Sequence, residues 1–230
     1  MDVKESTMVR FIRNKLIMRE SIKQFVKMCS EILPISEPIY EFGSLQVPSQ
    51  EGFADLRPIF YGKKYIGADM RQGSGVDVIL NLHSIDLPSE STGTVLILDT
   101  LEHVEFPLKA MEEAYRILKP NGFVVISSVM NFPIHDHPSD YWRFTPEGFK
   151  SILSPFDFSF VDFAGDENFP HTIVGLGFKD SLPKDLNKFK REFKNWKREY
   201  SNPQEKLFRV LIKMWTPPIL LDLYRRIRKT

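Results

Sequence analysis

Three of the chain's five histidines stand at positions 103, 135 and 137. Histidine titrates near neutral pH, which suits it to take a proton from a hydroxyl group. Two of the three lie in the run Asn131-Phe132-Pro133-Ile134-His135-Asp136-His137-Pro138-Ser139-Asp140-Tyr141-Trp142-Arg143. His135 is the first candidate for a general base and His137 the second; His103, in the pair Glu102-His103, is the third. Trp142 and Arg143 offer a stacking surface and a cation, a pair able to hold a polar molecule such as a sugar or a carboxylate. Two histidines and an aspartate also have metal-ligand chemistry, but spacing at i, i+2 on a loop is poor geometry for a shared ion. The one cysteine, Cys29, joins no Cys/His cluster, so no metal is expected.

These groups need a frame. Residues 8–33 follow a helical pattern, with Ile22, Phe25, Val26, Cys29, Ile32 and Leu33 on one face and Pro34 to end it. Residues 39–42, 64–69, 76–80, 94–98 and 123–127 read as five apolar strands. A loop and short helix over 51–60 and a longer helix over 106–118 fall between them, and Pro120-Asn121-Gly122 makes a turn. Continuous apolar strands alternating with helices predict a doubly wound, mostly parallel α/β sheet covered on both faces. Residues 158–163 and 172–178 are two further strands, close enough in sequence to pair antiparallel. The expected organisation is an N-terminal helical segment (1–35), an α/β domain (36–180) and a helical C-terminal extension (181–230).

Ligands of open parallel sheets bind beyond the carboxyl ends of the strands, at the point where the strand order reverses. The residues just after each strand therefore carry the binding argument. After the first stand Glu41-Phe42-Gly43-Ser44, where Gly43 lets a backbone approach a ligand closely. After the second stands Asp69, an acid able to accept two hydrogen bonds from a ribose diol. After the third, Asn81 offers an amide to a base edge. Together they point to a nucleoside.

The most informative stretch is Val95-Leu96-Ile97-Leu98-Asp99-Thr100-Leu101-Glu102-His103-Val104, followed by Arg116-Ile117-Leu118-Lys119-Pro120-Asn121-Gly122. It resembles the class I methyltransferases that use S-adenosylmethionine (SAM), whose small-molecule branch shows a D-x-L-E-H-V turn after the fourth strand and an R-x-L-K-P-x-G turn before the fifth. The likeness covers residues 36–180. It implies a seven-stranded Rossmann-like sheet, SAM as cofactor and S-adenosylhomocysteine (SAH) as product. It also implies roles at matching positions: Glu41 fixes the cofactor's amino end, and Gly43 and Ser44 pass under its methionine part. Asp69 holds the ribose hydroxyls and Met70 lies against the adenine, whose edge meets Asn81 and Leu82. Asp99 and Thr100 line the pocket near the methionine. The chain departs from the family where later glycines of the first turn would fall, at Leu45 and Val47. Asn131-Phe132-Pro133 has a faint likeness to a motif of nucleic-acid amino methyltransferases, but stands after the wrong strand.

Lys and Arg number 31 against 30 Asp and Glu, a balance that disfavours a nucleic-acid partner. The first helical turns carry charges and lack a signal-peptide core, and no apolar run reaches the roughly 20 residues of a membrane span. The expected location is the cytoplasm. Residues 184–200 place Leu186, Phe189, Phe193, Trp196 and Tyr200 on one narrow stripe, and basic residues crowd the end of the chain. This extension is expected to meet the domain, a second subunit or the inner membrane surface. The expected activity is methyl transfer to a small polar acceptor such as a hydroxyl of a sugar or glycan precursor, in line with a general likeness to methyltransferases of saccharide pathways. The competing reading is an inactive SAM-fold module that binds a partner through its last helices. A nicotinamide-dependent oxidoreductase is disfavoured, because no G-x-G-x-x-G turn follows the first strand.

Overall fold

Every residue of Thr92–Leu98 is buried, and this strand lies at the centre of the sheet. The computed structural model describes residues 7–46, 52, 54–135 and 139–201. The elements are α1 (Thr7–Ile32), β1 (Ile39–Phe42), β2 (Tyr65–Asp69), β3 (Val78–Ile79), β4 (Thr92–Leu98), α2 (Pro107–Ile117), β5 (Leu118–Val129), α3 (Pro146–Ile152), β6 (Phe158–Gly165), β7 (Pro170–Phe178) and α4 (Leu186–Ser201). One sheet of seven strands has the order β3-β2-β1-β4-β5-β7-β6. The first five are parallel, and β7 runs antiparallel between β5 and β6. The chain winds outward from β1 to β3, then crosses back to β4, so the order reverses between β1 and β4.

The strands are apolar on both sides because both sides are covered. Alternate residues divide between two cores, as a period of two requires. Leu96, Leu98, Phe123 and Val125 face α1 and α4. Val95, Ile97, Val124 and Ile126 face α2 and α3. The stripe Leu186-Phe189-Phe193-Trp196-Tyr200 is buried in the first of these cores with Ile22, Phe25, Val26 and Cys29 of α1, and Trp196 Nε1 donates to the Ser21 carbonyl at 2.8 Å. Of the three expected partners, the stripe thus meets the domain: it completes the helical layer over one face of the sheet. Residues 202–230, where the basic end lies, are outside the described residues. No described helix is long and apolar enough to cross a membrane. Burial pushes the Cys29 thiol up, so it packs as a small apolar group.

Several boundaries differ from expectation. The short helix expected with a loop over 51–60 is a 3-10 turn at Arg57–Phe60. β3 has two residues instead of five. β5 begins at Leu118 because the Lys119–Gly122 turn stays alongside β4, with a register shift between Thr92 and Thr94 and Asn121 at φ +62°. The sequence reading passed over α3, although Thr145-Pro146-Glu147 carries its start signal. The Thr145 hydroxyl accepts from the Gly148 N–H at 3.0 Å, with proline at the first helical turn.

His171 joins β7 to α4. Its Nε2 lies 3.0 Å from the Tyr200 carbonyl and its Nδ1 2.8 Å from the Thr172 hydroxyl. A carbonyl only accepts, so the proton of the neutral ring sits on Nε2. Burial holds the imidazole below its usual pKa. The unfolded chain therefore takes up this proton more readily than the folded one, and stability falls as pH drops below about 6.5, the ordinary value. A thermal-unfolding series from pH 7.5 to 5 is expected to show this loss, with His171→Gln flattening it. An unchanged slope in the variant would remove His171 from the account.

Candidate active site

The loops at the carboxyl ends of β1, β4 and β5 meet where the strand order reverses. Gly43, just past β1, has φ +83°. A Cβ built on it would stand 2.0 Å from Thr100 Oγ1, so glycine is required by both conformation and space. Thr100 Oγ1 in turn donates to the Leu98 carbonyl at 2.9 Å. Beside it Asp99 takes the left-handed conformation, φ +46°, which costs a non-glycine residue free energy. Ser127 of β5 holds it there: Ser127 Oγ donates to Asp99 Oδ1 at 2.7 Å, and the Asp99 N–H donates to the Ser127 carbonyl at 3.0 Å.

Glu41 is buried, and the Tyr65 hydroxyl donates to its Oε2. Burial, and then the adjacent carboxylate, push the Tyr65 phenol well above its ordinary range, so it acts as a fixed donor. Asp69 Oδ1 accepts from the Arg71 N–H at 2.9 Å; the local turn thus orients a carboxylate that retains further acceptor capacity. Met70 beside it is exposed. Asn81 turns inward on its own loop, with Oδ1 accepting from the His83 N–H at 2.9 Å, and the Leu82 side chain is in the core. Ser44 Oγ is buried with no hydrogen-bond partner. A lone buried hydroxyl is costly unless something satisfies it, so this end of the sheet suits a polar ligand.

A second polar centre lies on the β4 and β5 loops. Glu102 and His103 fall in the 3-10 turn Leu101–His103. His103 Nδ1 lies 2.6 Å from the Ser139 carbonyl, and its ring meets that of His135 edge-on at 4.8 Å. His135 Nδ1 lies 3.1 Å from the Pro133 carbonyl and 3.2 Å from Asp140 Oδ2. These Nδ1 partners are all acceptors, so each Nδ1 carries a proton, and in the neutral ring the lone pair is on Nε2. The carboxyl of Asp140 is almost wholly buried. The paired hydrogen bonds from Arg143 hold its pKa at about 2. Arg143 is fully engaged: its other donors reach the carbonyls of Phe132, Pro133 and Trp142. Its position is that of a clamp closing the loop. Trp142 Nε1 donates to the Val104 carbonyl at 2.9 Å, while its ring is partly exposed.

Of the residues singled out in the sequence, the fold thus brings Gly43 to Thr100 and His103 to His135. His137 lies outside the described residues. Sequence reasoning passed over Ser127, Tyr65 and Asp140. Of these, only Asp140 carried a signal, an acid three residues from Arg143 in a loop already under scrutiny. Glu102 was read only as part of a motif; it is buried and accepts from Ser128 Oγ at 2.7 Å.

The sequence profile of a family described as a methyltransferase domain matches residues 63–126, from just before β2 into β5. No curated protein is similar at a significant level. Solved structures share the fold. A SAM-dependent methyltransferase from Thermotoga maritima is 18% identical, with a TM-score of 0.53 over 74% of this chain and 94% of that one. One from Archaeoglobus fulgidus is 16% identical, with a TM-score of 0.55 over 70% and 94%. A chain from the Haloferax volcanii complex with a methyltransferase activator is 15% identical, with a TM-score of 0.53 over 79% and 99%. Over residues 63–126 the chain is thus similar to a methyltransferase-domain family, and its seven-stranded sheet shares the fold of SAM-dependent methyltransferases.

Proposed function

We propose that the chain methylates a hydroxyl oxygen of a small polar acceptor, with a sugar of a glycan or of its precursor as the first class to test. One observation carries this reading. A buried carboxylate and two imidazoles with matched tautomers, Glu102, His103 and His135, stand on the loops that follow the strands flanking the cofactor end of the sheet. An alcohol needs its proton removed before it attacks, whereas a neutral amine already has its lone pair, so a base centre of this kind fits an oxygen acceptor. The exposed ring of Trp142 gives a sugar a surface to stack on.

In this reading Glu41, Gly43, Ser44, Asp69, Met70, Asn81, Leu82, Asp99 and Thr100 hold the cofactor. Leu82 contributes through its backbone, since its side chain is in the core. SAM supplies a methyl group already activated on a cationic sulfur, and SAH departs with the electron pair of the broken carbon–sulfur bond. The protein's part is to align the acceptor oxygen with that methyl and to take its proton. His135 Nε2 is the first candidate acceptor of the proton. Asp140, kept ionised by Arg143, would favour the imidazolium that forms, and Arg143 acts as a positioning residue. The location we propose is the cytoplasm, where a chain with one buried cysteine has nothing to oxidise.

Calorimetric titration with SAM and SAH is the first experiment. Micromolar binding is expected. Asp69→Ala is expected to weaken it by at least about tenfold, since hydrogen bonds to a charged group contribute on the order of 1.5–3 kcal/mol. Methyl transfer is then measured against nucleotide sugars and glycan fragments. No binding of either nucleoside would favour the nonenzymatic module instead; turnover of amines alone would remove the hydroxyl acceptor.

A further inference from the structure

The spacing of His135-Asp136-His137 is poor for a metal, but the fold assembles a different trio. Glu102, His103 and His135 each offer one ligand atom, and these atoms all lie within 4.8 Å of one another. Two loops contribute, one after β4 and one after β5, so neither segment shows the cluster by itself. We propose that Glu102, His103 and His135 bind one divalent transition-metal ion, and that this ion takes the acceptor's hydroxyl oxygen as a further ligand. The second half of the proposal rests on the function proposed above; the first half does not.

Three features support the ion. The first is the ring tautomers. A metal-binding histidine typically donates its other ring N–H to a carbonyl or carboxylate, which fixes the ring and leaves the lone pair on the remaining nitrogen. His103 does so to Ser139, and His135 to Pro133 and Asp140. The second is the carboxylate. Glu102 is buried, and Ser128 Oγ holds one of its oxygens, the outer hydrogen bond that orients a ligating carboxylate. The third is charge. Among the described residues, the carboxylates of Glu102 and Asp140 both lie near the Arg143 guanidinium, and a second carboxylate beside the imidazoles attracts a cation.

The ligand types narrow the ion. Two imidazoles and one carboxylate suit zinc, iron(II) or cobalt(II), whereas magnesium and calcium prefer oxygen alone. Three protein ligands also leave coordination positions open. Donor atoms about 2.1 Å from a tetrahedral ion stand about 3.4 Å apart, so with all three within 4.8 Å no pair need close by more than roughly 1.4 Å, within reach of side-chain rotation. Coordination lowers the pKa of a bound hydroxyl group. With the ion bound, the His135 lone pair would be a ligand and no longer the base: the O–H bond would break with its electron pair left on oxygen, the proton would pass to water, and the metal would keep its oxidation state.

The test uses the full chain, free of any affinity tag and stripped with a chelator. It is titrated with Co²⁺, followed by visible absorption and calorimetry, and then with Zn²⁺ in competition. One equivalent per chain is expected. Affinity should fall by at least about tenfold in His103→Ala, His135→Ala and Glu102→Gln, and by about tenfold in Ser128→Ala, which removes only the outer hydrogen bond. SAH binding by each variant reports whether it has folded. Retained SAH affinity with lost Co²⁺ affinity in the histidine variants supports the site. Uptake of less than one equivalent by the unsubstituted chain overturns it, as does unchanged Co²⁺ affinity in any folded histidine variant. If only the hydroxyl reading fails, the Co²⁺ isotherm stands and hydroxyl acceptors go unmethylated. If only the site fails, transfer proceeds and is insensitive to chelation.

Discussion

Gly43→Ala is expected to weaken SAH binding by at least about tenfold and to lower stability by about 2–4 kcal/mol. Two penalties combine. At φ +83° an alanine carries the strain of a rarely populated backbone region, on the order of 1–3 kcal/mol. Its Cβ would also stand 2.0 Å from Thr100 Oγ1 and 2.8 Å from Thr100 Cγ2, so the two loops must part. Thr100 follows the strand on the far side of the reversal point, and parting the loops widens the end of the sheet at which we propose the cofactor binds. A double-mutant cycle separates the two costs. Thr100→Gly in the Gly43→Ala background removes the clash and leaves the strain, so part of the lost stability should return. Calorimetry with SAH and chemical denaturation read both quantities. Wild-type affinity in Gly43→Ala would show that the β1–β4 contact does not shape the cofactor site.

The second large effect is on the fold. Phe25 is fully buried in α1, with ring centroids 6.2, 6.1 and 5.5 Å from Phe189, Phe193 and Trp196 of α4. Phe25→Ala removes a large side chain from this aromatic cluster. The loss combines transfer free energy, a cavity and the edge-on ring contacts, for about 4 kcal/mol. In a domain of this size that is on the order of 10 °C in Tm. Urea denaturation followed by near-ultraviolet circular dichroism measures it. A loss below about 1 kcal/mol would mean that the α1–α4 layer unfolds separately from the sheet, which would revive the reading of these helices as appendages.

The comparison of sequence with structure follows from these two sites. The parallel strands were legible because a strand buried on both faces must be apolar throughout, and Val95-Leu96-Ile97-Leu98 allows little else. α4 was legible as an amphipathic helix, but not its partner. The stripe says that a face is buried, and only the fold says that Phe25 of a helix some 160 residues earlier buries it. The candidate site divides the same way. Gly43 and Asp69 could be nominated because a strand-end glycine and acid carry local meaning. The pairing of His103 with His135 could not, since it depends on two loops that meet only once β4 and β5 align. Arg143 shows the opposite limit. Its type invited a substrate, yet its donors are engaged by Asp140 and three carbonyls, geometry that no spacing rule encodes. α3 is a different case, since Thr145-Pro146-Glu147 was readable and was passed over.

The place of β7 has a consequence for how the polypeptide must assemble. β5 is apolar along most of its length and lies next to β7, whose residues come more than 40 positions after it. Until β6 and β7 have formed their hairpin and docked, β5 is an open edge of the kind that recruits other chains into aggregates. The hairpin is local and can form early, whereas its docking closes a long loop and is slow. A ribosome-bound chain that has emerged only as far as β5 is therefore at its most aggregation-prone, and the last strands act as the molecule's own protection against self-association.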